Sequence, residues 1–420
     1  MRKPGELIIG GEVPDARATS ESRLQDRCES RSGFLAFVAR SAVFFTPLLL
    51  GIVMIEALLW QAGETWPLPQ VIQFQEKHPH SFFDRLVIDQ ATQRYKYLQV
   101  LRRRPQILVL GSSRMRQFRA EMFGRQAAVF YNGGGMIHSL EDLRDFFDRL
   151  PPEATPKTVI LGLDFWWLNG DEKKLIGASD FFRVTVETDG ALKWQAHANA
   201  IAGFLRQPVS LLQAIRTTFG TKRDPNAIGL QARLQRQGFR LDGSKRIDLE
   251  IPSTPDEWRE RLPSDEFLRR EILDGHSPFT LTNELSPALL ERLRGVVSKM
   301  QKRGVFVIGY NPPIVGQSAR VLPTAPHQKD FWREYHEQVP ELFHQIGLPF
   351  FDIVTPQQLG LDDRYMRDWC HTHDTFDLNV LQHFCDDPKI RALFPDVPAV
   401  AKRALSSPRT NPLYLDLTDQ

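Results

Sequence analysis

The sequence predicts an α/β protein, a parallel five-stranded sheet covered by helices on both faces, with one N-terminal transmembrane helix and a large insertion. Three observations predict it. Short apolar runs at Ile107–Leu110, Ala128–Tyr131, Thr158–Leu163, Val305–Tyr310 and Phe350–Ile353 read as buried strands. Helical stretches separate them, and strands that alternate with helices imply a parallel sheet buried on both sides. A separate, continuously apolar stretch lies near the N-terminus. At 420 residues the chain has room for this sheet, an anchor and an insertion. Its net charge of +2 predicts neither nucleic-acid binding nor a strongly acidic partner.

Taken in order, residues 1–32 are polar, mixed in charge and without period, and read as unstructured, within a cytoplasmic tail over residues 1–40. Residues 41–60, SAVFFTPLLLGIVMIEALLW, are nearly all apolar over about 20 residues, the length that crosses a bilayer core. Pro47 is tolerable in a membrane helix, and Trp60 suits the interfacial aromatic belt. Arg23, Arg27, Arg31 and Arg40 precede the span, whereas Lys77 is the only Lys or Arg between Gln61 and His80. That asymmetry predicts a cytoplasmic N-terminus in the plasma (inner) membrane and an exported, periplasmic or extracellular body. Residues 61–104 read as a juxtamembrane stalk, and Arg102, Arg103 and Arg104 as a solvated patch.

The helices that follow have clear signatures. Leu140, Leu143, Phe146, Phe147 and Leu150 recur at spacings of three and four. Ser286 caps a helix with Pro287 in its first turn, and Gly304 ends it. Phe331–Ile346 is another helix. Between the third and fourth strands, residues 165–285 are too long for a loop and read as an insertion over the ligand end of the sheet. It holds weak helices at Ala198–Leu205, Pro208–Thr217 and Ala227–Gln237, and a turn-rich GFRLDGSKRI. Residues 396–420 read as a C-terminal tail. Three cysteines are too few for a disulfide framework, although Cys370 and Cys385 could pair in an oxidising compartment.

Ligands of an open parallel sheet bind beyond the carboxyl ends of its strands. After the first strand come Gly111, Ser112, Ser113 and Arg114; after the second, Asn132 and the glycines Gly133, Gly134 and Gly135. After the third comes Asp164 with Phe165, Trp166 and Trp167, and after the fourth Asn311, Pro312 and Pro313. Asp368 and His371 follow the fifth, three residues apart. A serine at a strand–helix corner, an imidazole and a carboxylate that orients it are what acyl transfer needs. Ser113, His371 and Asp368 are therefore the candidate nucleophile, base and orienting acid, with Ser112 as alternative nucleophile. Backbone N–H groups at Ser113, Gly134 and Gly135 are candidate oxyanion donors. His371 and His373 form an H-x-H pair, but with no third or fourth ligand in prospect no metal is expected, and no cofactor either. His138 and Arg114 are possible substrate contacts, and Trp166 and Trp167 pack in the core or stack on a sugar. Cys370 has no neighbour in sequence that would activate it as a nucleophile.

The order of these blocks resembles the SGNH (GDSL-type) hydrolase superfamily. Its blocks read here as GSSR at Gly111–Arg114, YNGGG at Tyr131–Gly135, GLD at Gly162–Asp164 and DWCH at Asp368–His371. Behind a single anchor, the GSSR form is similar to envelope-polymer acylation proteins, including the D-alanine transfer protein of teichoic acids and alginate O-acetylation proteins. The resemblance covers about residues 105–165 and 300–395, with the insertion outside it; it implies a three-layer α/β/α sandwich for the domain of residues 105–395 and a Ser-His-Asp triad with Ser113 as nucleophile. Asn132, Gly134, Gly135 and Asp164 are then the oxyanion and substrate positions. Two departures stand out: Asp164 replaces an oxyanion-hole Asn, and Met136 and Ile137 replace small residues. The implied activity is hydrolysis or transfer of a small acyl group on an envelope or exported polysaccharide, with an integral-membrane acyltransferase as a candidate partner. A non-catalytic glycan-binding accessory protein and a lipid esterase are the alternatives.

Overall fold

The computed structural model describes residues 16–86, 89–168, 189–206, 211–221, 223–247, 264–276, 279, 283–406 and 415. The expected features at residues 1–15, at 208–210 and over most of 407–420 lie outside these. The chain divides into two compact units, Met1–Leu58 and Leu59–Gln420.

The first unit holds most of α1 (Ala16–Ala62). Its part Gly33–Ala62 has a mean hydropathy of 2.3 and is long and apolar enough to cross a membrane. Phe34, Phe37, Val43 and Phe44 are exposed along it. The helix starts at Ala16, within the expected unstructured tail. Once the apolar part is helical the costly nucleus already exists, and each added residue gains a hydrogen bond.

The second unit begins with α2 (Leu68–Lys77), β1 (Phe82–Phe83) and α3 (Asp89–Arg103). Residues 61–104 are thus folded into the body rather than forming a free stalk. Leu68, Val71 and Ile72 of α2 pack with Phe83, Tyr95 and Phe239. Arg102 forms an exposed pair with Glu76, as suits a solvated patch. The chain continues through β2 (Ile107–Leu110), β3 (Phe130–Asn132), α4 (Leu140–Arg149) and β4 (Thr158–Gly162). The insertion then supplies α5 (Asp189–Arg206), α6 (Leu211–Phe219), β5 (Ala227–Ile228), α7 (Leu230–Gln235), β6 (Gly238–Phe239) and β7 (Lys245–Arg246). After it come α8 (Pro287–Lys302), β8 (Phe306–Asn311), α9 (Lys329–Gln345), β9 (Phe350–Asp352), α10 (Asp374–Phe384) and α11 (Val397–Ser406).

The five expected strands form one sheet of order β3-β2-β4-β8-β9, every neighbouring pair parallel. Alternate residues feed two cores. Leu108, Leu110, Val159, Leu161 and Val307 pack with α4, α8 and α9 through Leu143, Phe146, Leu293, Val297 and Phe343. Ile107, Val109, Ile160 and Ile308 pack with α10 and α11 through Phe376, Leu381, Val397 and Ala401. Each such fully buried side chain stabilises the fold by roughly 1.5–3 kcal/mol. Residues of α11, expected as tail, therefore belong to the body. Cys370 lies in the first core and Cys385 in the second, which is why both are free rather than paired.

A second sheet, β5-β1-β6-β7, joins the N-terminal segment to the insertion. Its β6–β7 hairpin turns at Asp242–Gly243 and presses on the carboxyl end of β3. The Asn132 N–H donates to the Asp242 carbonyl at 2.8 Å. Gly243 has φ +81°, and a Cβ there would lie 2.2 Å from the Asn132 carbonyl oxygen, so only glycine fits. The buried Lys96 ammonium donates to the carbonyls of Asn132, Gly134 and Gly243, locking α3, the glycine loop and the hairpin together.

Candidate active site

The order of the large sheet reverses between β2 and β4, where the chain runs outward to one side and then the other. Such switch points form ligand crevices. Ser113 follows β2 there, and Asp164 follows β4.

Gly111 ends β2 at φ +146°, and a Cβ there would lie 2.6 Å from Met115 Cγ. Ser112 then caps a single 3-10 turn, Ser113–Met115, its Oγ accepting the Arg114 N–H at 3.3 Å. Ser112 is buried in that role. Ser113 Oγ lies 2.7 Å from His371 Nε2.

The imidazole is held by its own loop. Met366 and Thr372 form an antiparallel bridge, and the Arg367 N–H donates to the His371 carbonyl at 2.7 Å. At the tip, Asp368 Oδ1 accepts the N–H groups of Cys370 and His371, both at 2.9 Å. Asp368 Oδ2 lies 2.7 Å from His371 Nδ1. The three-residue spacing is thereby explained: one carboxylate folds the loop and orients the ring. With Nδ1–H donating to the carboxylate, Nε2 is the acceptor for the Ser113 hydroxyl proton. Burial pushes the Asp368 carboxyl up, but the imidazole and the two backbone N–H groups outweigh it and hold it well below the usual carboxylate range. Burial lowers His371 below the ordinary histidine value; Asp368 opposes this, while Arg367 and Arg116 add to it. The ring is therefore neutral, as a general base must be.

Arg114 is the keystone of the strand ends. It is buried, with Nη1 2.9 Å from Asp164 Oδ1. Nε donates to the Cys370 carbonyl at 3.2 Å, and Nη2 to the carbonyls of Pro312 and Pro313. One guanidinium thus joins the serine turn, the end of β4, the end of β8 and the histidine loop. Burial pushes the Asp164 carboxyl above its ordinary value, opposed by Arg114. Asp164 is an ion-pair partner within the scaffold rather than an oxyanion ligand.

The glycine loop also differs from expectation. The Gly134 N–H donates to Asn132 Oδ1 at 2.7 Å, and the Gly135 N–H to the carbonyls of Gly111 and Ser112, both at 2.8 Å. Asn132 Nδ2 donates to the Met115 and Phe118 carbonyls. Asn132, Gly134 and Gly135 thus brace the serine turn from below, and their polar groups are committed there. The Ser113 N–H has no internal acceptor among the described residues.

Sequence reasoning missed Arg116 and Arg367. The Arg116 guanidinium packs so closely on Gly135 that a Cβ there would lie 2.4 Å from its Nε. Both arginines bring positive charge to His371. Their closeness to the block residues Ser113 and Asp368 in sequence was the available signal. Trp166 stacks under the Arg114 guanidinium, 5.1 Å from its ring centroid, and lies 6.1 Å from Trp369. Trp167 is buried in the core, and His138 stands exposed before α4, away from the triad's contacts.

The donor atoms of Asp368, Cys370 and His371 all lie within 4.8 Å of one another. Carboxylate and imidazole satisfy each other, and burial pushes the Cys370 thiol well up. His373 precedes α10 and stands outside it. Comparison with family models, with curated proteins and with solved structures finds no significant match to the chain.

Proposed function

We propose that this protein is a membrane-anchored serine esterase or O-acyltransferase of the SGNH type, acting through an acyl-serine at Ser113 on an envelope or exported polysaccharide. The observation that carries this reading is the unbroken relay Ser113 Oγ–His371 Nε2–His371 Nδ1–Asp368 Oδ2, with 2.7 Å at both hydrogen bonds. Ser113 Oγ attacks the acyl carbonyl while His371 Nε2 takes its proton. Asp368 fixes the tautomer and stabilises the imidazolium. His371 then returns the proton to the leaving sugar oxygen, and water or a second hydroxyl takes the acyl group. The Ser113 N–H and the positive field of Arg116 and Arg367 favour the oxyanion.

The His371 and Asp368 side chains are 27% and 37% exposed, so the site opens to solvent. An open site beside the partly exposed Trp166 and Trp369 suits a polymer better than a lipid tail. The cation asymmetry around the span favours a cytoplasmic N-terminus and an exported body. The test is release of acetate from 4-nitrophenyl acetate and from an acetylated polysaccharide. Wild type should turn over and Ser113→Ala should not; equal turnover by both would refute the reading.

One observation favours a second reading. With the Gly134 and Gly135 amides committed and a carboxylate at Asp164, the oxyanion has few donors. A non-catalytic, glycan-binding accessory protein, seated beside a membrane acyltransferase, fits that. Polysaccharide binding without turnover by wild type and Ser113→Ala alike would select it.

A further inference from the structure

Two helices of the insertion are built inside out. In α6, the small Ala214 and the polar Thr218 are buried, four residues apart, while Leu211, Leu212 and Phe219 face outward. Leu212 is 54% and Phe219 55% exposed. In α5, Ala196 and Ala200 are buried, again four apart, while Trp194 is 76% exposed and Ile201 is also exposed. A helix of a water-facing surface turns its large apolar residues inward. Both helices bury small residues while large apolar ones stand exposed.

The place of this surface says what covers it. α6 packs on α7. α7 is tied to the last residue of the apolar helix: the Gly229 N–H donates to the Ala62 carbonyl at 2.7 Å, and Arg233 Nε to the same oxygen at 3.2 Å. Glu64, two residues on, accepts the Leu230 N–H at 2.7 Å. If Gly33–Ala62 spans a bilayer, chain continuity keeps α7, and the α6 packed on it, at the membrane surface. The charge agrees. In residues 189–224, Lys193, Arg206, Arg216, Lys222 and Arg223 outnumber Asp189 and Asp224. Apolar faces with Trp, Phe and Leu among basic residues are the chemistry of interfacial helices on anionic lipid.

We propose that the outward face of α6 lies in the headgroup–acyl boundary of the bilayer that the anchor spans, next to anionic lipids, and holds the body against the membrane. This rests on the span and is independent of the reading of the Ser113 site.

The test uses the full chain with Cys28→Ser, in vesicles of phosphatidylcholine with phosphatidylglycerol as the minor component. Nitroxide labels are placed singly at Leu212→Cys, Phe219→Cys and, as a water-facing control on α9, Glu337→Cys. Cys370 and Cys385 are buried. Paramagnetic accessibility is read with oxygen, which concentrates in lipid, and a nickel chelate, which stays in water. The proposal expects oxygen to exceed the chelate at 212 and 219, with the opposite order at 337. Chelate access at 212 and 219 equal to that at 337 would overturn it. Exclusion of both reagents there would also overturn it, because a second copy or a protein partner would then cover the face. Extraction of the chain by alkaline carbonate would remove the span and the proposal together.

Discussion

Replacing Arg114 by methionine removes one guanidinium and leaves four groups without their partner. The Asp164 carboxylate loses its counter-ion, with both side chains of that pair 1% exposed. The carbonyls of Cys370, Pro312 and Pro313 lose a donor. Breaking a buried pair from one side costs about 3–5 kcal/mol, because the remaining charge is stranded in a poorly polarisable interior. Spread over residues 59–420 at roughly 2.1 cal/mol/K per residue, that lowers Tm by about 4–7 °C. The loss must depend on pH. Asp164 already sits above its ordinary value because of burial, and without Arg114 it rises further. An acid raised in the folded state costs stability as pH climbs above its unfolded value of about 3.9 and through its folded value. The deficit of Arg114→Met should therefore be larger at pH 8 than at pH 5. The assay is urea unfolding followed by tryptophan fluorescence, which Trp166 reports from directly beneath the guanidinium. Adding Asp164→Leu removes the stranded charge and should recover part of the loss. A single variant within about 1 kcal/mol of wild type, or a deficit equal at both pH values, would refute the reasoning; breaking a buried pair cannot be that cheap.

Four further outcomes rest on the same geometry. Asp368→Asn keeps the loop folded but loses the tautomer and the imidazolium partner, so kcat for 4-nitrophenyl acetate should fall by about 10⁴-fold with KM little changed. The acid limb of the kcat/KM profile should have its midpoint below the ordinary histidine value of about 6.5, since the base works when neutral and burial with two arginines disfavours its charged form. Arg367→Gln removes one of those cations and should move that midpoint upward; a downward move would reverse the sign of the argument. Gly243→Ala combines a left-handed φ of +81° with a Cβ 2.2 Å from the Asn132 carbonyl. The left-handed backbone alone costs about 1–2 kcal/mol, so the urea midpoint should fall clearly, and an unchanged midpoint would contradict the packing described.

The large sheet was legible because its signal is local. Ile107–Leu110 and Thr158–Gly162 are apolar runs that need no partner to be read as strands, and their ends move by at most a few residues between expectation and structure. The spacing of Asp368 and His371 was legible for a like reason, since one carboxylate serves both loop and ring. What escaped depends on distant partners. Asp164 looked like a defective oxyanion residue because its arginine stands 50 positions away. The glycine loop looked like a set of free donors, yet Asn132 and the Gly111–Ser112 carbonyls take them up only once the turn has folded. The two-residue strands of the small sheet are too short to show any period, so the segment before β2 read as a stalk. Ser112 and Ser113 are chemically alike in sequence, and only the path of the chain after Gly111 decides which one meets the imidazole.

The central claim is that Ser113 is a nucleophile activated by His371 and Asp368. Reaction of the full chain with a fluorophosphonate, followed by mass mapping, tests it most directly. A single adduct is expected on Ser113, absent from Ser113→Ala and much slowed in His371→Ala. An adduct that persists in Ser113→Ala, or wild type that stays unmodified while it remains folded, would contradict it.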